Sequence, residues 1–203
     1  MISRLEEVCG RSVPRETFEK LEAYGALLIE ESSNQNLIAA STIDHLWDRH
    51  LLDSAQLLRF ARPGDWIDIG SGAGLPGVVI AILTGEPVTL VEPRRLRTEF
   101  LHTVRTRLAI DTITIVRGKA SAATAKFDNI IARAVAPAND LLALALHLSH
   151  SKTVWLLPKG RTAQKELDDL RAAWQGAYCL KPSLTDEAAS ILLATGVKPR
   201  GTR

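Results

Sequence analysis

The apolar positions of this chain follow a helical period first and then a mixed strand-and-helix texture, with the change near residue 65. Ser12-Val13-Pro14-Arg15-Glu16 is a helix start, with proline in the first turn and acids close behind. Phe18, Leu21, Tyr24 and Leu28 then recur at helical spacing, and the polar run 32–36 predicts the break. A second helical pattern covers roughly residues 42–60 and stops at Arg62-Pro63-Gly64. The first sixty residues carry no strand pattern.

From residue 65 short apolar runs alternate with helical ones. Strands are predicted at 65–69, 87–91, 113–116, 127–132 and 153–157, and helices at 78–83, 94–108, 141–148 and 162–174. Strands alternating with helices build right-handed βαβ units and a mostly parallel sheet. Two further extended stretches, 177–184 and 190–195, are joined only by a short polar link at Thr185-Asp186-Glu187. No crossover helix fits there, so these two must form an antiparallel pair. The expected α/β fold is a single domain in three parts. Residues 1–62 form a helical extension, 63–197 a seven-stranded core, and 198–203 a basic tail without fixed structure.

Composition narrows the class. The 203 residues are 46% hydrophobic and 24% charged, which excludes a disordered, collagen-like or disulfide-stapled chain. The longest apolar runs, 78–83 and 141–146, fall far short of the roughly 18 residues a membrane span requires. The opening MISRLEEVCGR puts acids where a signal peptide carries its apolar stretch, so the expected location is the cytoplasm, away from membranes. Cys9 and Cys179 stand apart with no CxxC or His/Cys cluster, which points to a reducing compartment and no metal site. No 20–50-residue period repeats. A net charge of +2 implies no partner by itself, so distribution must carry any such argument.

The candidate chemistry centres on a glycine loop after the first strand. Glycines there let the backbone turn and approach a ligand, and the next helix offers its free N–H groups. The string satisfies two patterns at once. Gly72-x-Gly74-x-x-Gly77 fits the dinucleotide pattern, and Asp68-x-Gly70-x-Gly72-x-Gly74 fits the S-adenosylmethionine (SAM) pattern DxGxGxG. Asp68 favours the second, because a carboxylate two residues before the first glycine suits the ammonium of SAM and repels a pyrophosphate. Glu92, after the second strand, suits both hydroxyls of a ribose and discriminates only against NADP. An NAD-dependent oxidoreductase therefore remains the alternative at the level of the loop.

Longer motifs resemble one family. Arg49-His50-Leu51-Leu52-Asp53-Ser54 matches RHxxDS, and residues 68–77 match DxGTGAGFPG. Gln35-Asn36-Leu37 resembles part of KxNLT, Phe127-Asp128 with Ala132-Arg133-Ala134 resembles FDxxxSRA, and Pro158-Lys159-Gly160 matches PKG. Together they resemble the glucose-inhibited division protein B (RsmG) family, from about residue 34 to 160. The resemblance implies a Rossmann-like class I SAM-dependent methyltransferase that methylates N7 of a guanine in the decoding-region loop of bacterial 16S ribosomal RNA. It implies SAM contacts at Asp68, Gly70, Gly72, Gly74, Leu75, Glu92, Ala120, Ser121 and Arg133. Substrate contacts are expected at Asn36, His50, Arg94, Arg95, Arg97 and Lys159, with Asp53 beside the guanine pocket. Three positions depart from the family pattern. Glu92-Pro93 replaces Asp-Ser, Leu96-Arg97 replaces a Lys-Arg pair, and Ser121 stands where an acid is usual.

N7 of guanine carries a lone pair and no proton, so no general base is required, and none is evident. Arg94, Arg95, Arg97, Arg105 and Arg107 crowd one helix and its approach, which suits an RNA backbone. Two further readings stay open: a methyltransferase of another substrate, and an RNA-binding module that has lost its cofactor. The expected partner is 16S rRNA, free or within the 30S subunit, met by a monomer.

Overall fold

The computed structural model describes residues 1–201. Helix α1 (Ile2–Cys9) ends at Gly10, whose φ of 72° turns its N–H onto Glu6 O. Helix α2 (Arg15–Gln35) runs through the serines expected to break it and stops at Asn36, φ 49°. Ser32 and Ser33 donate their hydroxyls to the carbonyls of Leu28 and Glu30, so they satisfy the helix backbone rather than compete with it.

The second predicted helix is not regular. Residues 40–59 form a tight turn (Ala40–His45), a wide π-type turn (Trp47–Leu52), one ordinary turn (Asp53–Ala55) and another tight one (Gln56–Arg59). Its apolar residues come in adjacent pairs, and Leu51, Leu52, Leu57 and Leu58 are all buried. The hydrogen-bond spacing changes along the segment from tight to wide and back. Arg49, His50 and Asp53 emerge on the side facing the sheet edge. The segment is tied to α1 by Arg59, whose Nε donates to Val8 O at 2.9 Å.

The core follows the prediction closely: β1 (Trp66–Ile69), α3 (Gly77–Thr84), β2 (Val88–Glu92), α4 (Arg95–Arg107), β3 (Ile113–Arg117), β4 (Phe127–Ile131), α5 (Ala138–Ala145), β5 (Ser149–Lys159), α6 (Ala163–Ala173), β6 (Trp174–Pro182) and β7 (Ser190–Pro199). The sheet has seven strands in the order β3-β2-β1-β4-β5-β7-β6. β1 pairs in parallel with both β2 and β4, so the strand order reverses there and leaves a crevice at its carboxyl end. β7 inserts antiparallel between β5 and β6.

One apolar layer packs α1, α2, α3 and α4 on one face of the sheet, through Tyr24, Leu28, Val78 and Leu101. The other packs α5 and α6, through Leu141, Leu142, Leu167 and Leu170. α3 is buried from Gly77 to Ile82, which explains a helix with no polar face. Several boundaries differ from expectation: β5 already opens at Ser149, and α5 runs Ala138–Ala145. Trp174 opens β6 instead of closing α6, and β7 takes in Lys198 and Pro199, which pair with Gln175 and Trp174. Arg200 then donates to the carbonyls of Trp174 and Arg171, so this stretch of the expected tail is held by the sheet edge. Thr202 and Arg203 lie outside the described residues. No helix among those described is long and apolar enough to cross a membrane.

Candidate active site

The glycine loop leaves β1 and is pinned at once to β2. The N–H groups of Gly70 and Ser71 donate to Val91 O at 2.8 and 3.1 Å. Its glycines are there for different reasons. Gly74 (φ 93°) is crowded: a Cβ would fall 2.4 Å from Val78 Cγ2 and 3.0 Å from Tyr24 Oη. Gly72 (φ 57°) is buried, and a Cβ there would lie 3.3 Å from Arg97 Nη1 and 3.8 Å from Gly70 O. The first is a packing glycine, and the second takes a left-handed turn that favours glycine. Tyr24, fully buried on α2, donates its hydroxyl to Ala73 O at 2.8 Å and so braces the loop from behind. Leu75 is buried beneath it.

Both predicted acids reach the loop. Glu92 is 3% exposed, and its Oε2 and Oε1 accept from the N–H groups of Gly72 and Arg94, each at 2.9 Å. Each oxygen keeps a lone pair for another donor. Asp68 is fully buried, and Oδ2 accepts from Gly77 N–H at 2.9 Å, at the start of α3. Its Oδ1 has no partner. Burial pushes this carboxyl up to about 7, while the Gly77 N–H and Arg133 oppose the shift and Glu92 adds to it. Asp68 stands at the end of β1 against the start of α3, and its second oxygen keeps acceptor capacity for a further donor.

Ala120 is buried and Ser121 exposed in a tight turn (Ala120–Ala122) after β3. At the end of β4 the chain enters a left-handed conformation at Ala134 (φ 56°), an uncommon choice for a non-glycine residue. That turn lays Val135 over Gly70, where a Cβ would lie 2.7 Å from Val135 Cγ2. It also sends Arg133 toward the irregular segment, where its Nη1 lies 3.3 Å from Asp53 Oδ2.

Beyond Arg133 opens a cavity of about 750 Å³, lined in part by His50, Asp53, Gln56, Arg133, Lys159 and Thr185. Burial lowers the His50 pKa to about 4, reinforced by Arg133 and Arg49, so its ring is neutral near pH 7. Thr42 Oγ1 gives its proton to Ala39 O and lies 2.8 Å from His50 Nε2. The other ring nitrogen, Nδ1, is buried without a partner among the described residues.

The predicted substrate residues divide. His50 lines the cavity together with Arg133, which was expected to contact SAM. Lys159 lines it but is not a free cation: Nζ pairs with Glu166 Oε2 at 2.8 Å and donates to Ala136 O at 3.1 Å. Burial works against the Glu166 carboxylate, yet the hydrogen bonds from Lys159, Ala138 N–H and Thr162 outweigh it and hold its pKa below the usual value. Asn36 caps α2 at the surface, outside the cavity lining. Arg94 is exposed, Arg97 overhangs Gly72, and Arg95 is paired with Glu99 one turn along α4.

The family model for GidB, rRNA small subunit methyltransferase G, matches residues 17–188. The chain belongs to this family. "Ribosomal RNA small subunit methyltransferase G" of Zymomonas mobilis is 44% identical over 198 residues, covering 93% of this chain and 90% of that one. The protein of the same name from Rhizorhabdus wittichii is 46% identical over 195 residues, covering 93% and 90%. Among solved structures, M. jannaschii TYW2 in complex with AdoMet shares the fold at a TM-score of 0.59 and 9% identity, covering 81% of this chain and 78% of that one. The ribosomal protein L11 methylase of Lactobacillus delbrueckii does so at 0.57 and 15%, covering 75% and 79%.

Membership in the methyltransferase G family removes the nicotinamide alternative that the glycine string alone allowed. Several site residues of this family member were not legible as such in the sequence. Tyr24 read only as part of an apolar helical stripe. Gln56 and Thr185 touch across 129 positions, and nothing local links them.

Proposed function

We propose that this member of the methyltransferase G family transfers a methyl group from SAM to N7 of a guanine in the decoding-region loop of 16S rRNA. The observation that carries the proposal is an adjacency. The glycine loop with Glu92 beneath it and the cavity behind Arg133 share one sheet edge, at the crevice beside β1. The residues present fit SAM. Gly72 carries no side chain to stand between the loop and a ligand, Glu92 retains acceptor capacity for ribose hydroxyls, and the Ala120–Ala122 turn, after β3 next to β2, supplies a wall for the adenine. SAM would supply an electrophilic methyl group on a sulfonium.

The protein's part is positioning. N7 has a lone pair to offer and no proton to lose, so no side chain must act as base. The chain has to hold N7 in line with the methyl at near-attack distance and keep water out. In this reading Gly70, Gly72, Gly74 and Leu75 present backbone to the cofactor, Asp68 ties the loop to α3 with one oxygen and offers the other to the ammonium of SAM, and Arg133 lies beside the cofactor. His50 stays neutral and so adds no charge beside a purine that becomes cationic. Arg94 and Arg97, exposed or overhanging the loop, meet the RNA backbone. The proposed partner is 16S rRNA, alone or in the assembling small subunit, with the chain acting as a monomer in the cytoplasm.

The test is methyl transfer from labelled SAM to 16S rRNA and to 30S particles from a strain lacking this protein, followed by mapping of the base. Label at N7 of one decoding-loop guanine is the expected result. Label elsewhere, or on neither substrate despite SAM binding, refutes the substrate assignment.

A further inference from the structure

The cavity beside Arg133 contains a carboxylate that is locked in place but not saturated. Asp53 Oδ1 is filled, accepting from Gln56 Nε2 at 2.8 Å and from Thr185 Oγ1 at 2.9 Å. Gln56 is itself immobile. It is 1% exposed, and its Oε1 accepts from Leu184 N–H at 2.8 Å. The same Nε2 lies 3.1 Å from Ser183 Oγ and 3.2 Å from Thr185 Oγ1. These contacts join the helical extension to the loop between β6 and β7 and prevent the carboxylate from turning. Asp53 Oδ2 meets only Arg133 Nη1, at 3.3 Å, which is long for a charge-assisted bond. It therefore keeps acceptor capacity toward a cavity large enough for a nucleobase.

The Arg133–Asp53 pair presents donors beside an acceptor. The edge of guanine reads, in order, the O6 acceptor, the N1–H donor and the 2-amino donor. Adenine offers a donor and then a bare lone pair at the same places, and that lone pair would face the carboxylate. Resting on the reading of this site as a guanine methyltransferase, we propose that Asp53 is its specificity-determining residue, with Oδ2 accepting from the N1–H and the 2-amino group of the target base. Gln56 and Thr185 are positioning residues that hold that oxygen in place. Arg133 complements O6.

The network also dictates what Asp53→Asn does. Both Gln56 and Thr185 donate to Oδ1, so an asparagine must place its oxygen there and its amino group at the Oδ2 position. An acceptor facing guanine becomes a donor facing donors.

The experiment measures kcat/KM on 16S rRNA carrying either guanosine or inosine at the target position, prepared by ligation. Inosine keeps N7, O6 and N1–H and lacks only the 2-amino group. The wild-type enzyme is expected to prefer guanosine about tenfold or more, since a site built to bond a donor rejects the analogue without it. Asp53→Asn is expected to lose about 100-fold or more on guanosine, to bind SAM with unchanged affinity by calorimetry, and to use guanosine and inosine alike. Thr185→Val should shrink the same ratio. Equal use of the two RNAs by the wild type overturns the proposal without recourse to any variant. So does an Asp53→Asn enzyme that is slower but keeps the wild-type ratio, because a merely structural carboxylate would lower both rates together. A wild-type enzyme that labels neither RNA overturns the reading of the site instead.

Discussion

Replacing Asp68 with asparagine should make this protein more tolerant of alkaline pH. The Asp68 carboxyl is fully buried, one oxygen has a single backbone donor, and the other has none. Burial raises its pKa from 3.8 to about 7, so the folded protein holds a proton there that the unfolded chain has released. Between those two values the native state binds more protons, and stability falls as pH rises. The shift of about three units corresponds to about 4 kcal/mol at 1.36 kcal/mol per unit, absent below pH 4 and fully expressed above pH 7. Roughly 2.5 kcal/mol of it falls between pH 5 and pH 8. Asp68→Asn keeps the shape and an acceptor for Gly77 N–H and removes the ionisation. Urea unfolding of both proteins at pH 5 and pH 8 isolates the effect, since every other titrating group cancels in the difference. The variant should gain about 2 kcal/mol relative to wild type on going from pH 5 to pH 8. A wild-type-minus-variant difference that does not move with pH would refute the argument that this carboxylate is buried and poorly solvated.

Tyr24→Phe should cost about 1–2 kcal/mol by leaving Ala73 O without its buried donor, and should weaken SAM binding in calorimetry, because the same bond braces the glycine loop. Lys159→Met should lower stability by about 1–2 kcal/mol in chemical unfolding, since it leaves the partly buried Glu166 carboxylate with only Ala138 N–H and Thr162 as donors; the salt dependence of RNA binding should stay as it was. Changing Arg94 and Arg97 together to alanine should weaken RNA binding and reduce the slope of log K against log salt by about 1–2, read by filter binding across a salt series, whereas Arg95→Ala alone should do less because Glu99 already offsets its charge. Gly72→Val forces a branched side chain into φ 57° against Arg97 in the loop, so SAM affinity should be lost while far-ultraviolet circular dichroism is unchanged.

The helical extension serves the active site directly. Arg49 pairs with Asp186, and Asp53 and Gln56 hold Ser183, Leu184 and Thr185, so the loop between β6 and β7 is fastened to a segment far earlier in the chain. The irregular winding of residues 40–59 makes this possible. Arg49, His50 and Asp53 all line the cavity wall from this segment.

What the sequence determined by itself was local. Hydrophobic period, turn residues and the short 185–187 link were enough for seven strands, their order of types and the antiparallel ending, because each depends on neighbours within a few positions. The glycine loop and its two acids were equally legible, since a strand, a turn and a helix start form one continuous stretch. The tertiary structure alone decided which way the polar side chains point and what they meet. Asp68 acquired its Gly77 N–H partner because the space between β1 and α3 admits its carboxyl there. Lys159 turned out to be neutralised because α6 brings Glu166 to it. Asp53 acquired a fixed orientation from Gln56 and from Thr185, 132 positions away. Charges and hydrogen bonds act over a few ångströms in space, and a linear sequence records no distance between residues its fold has yet to bring together.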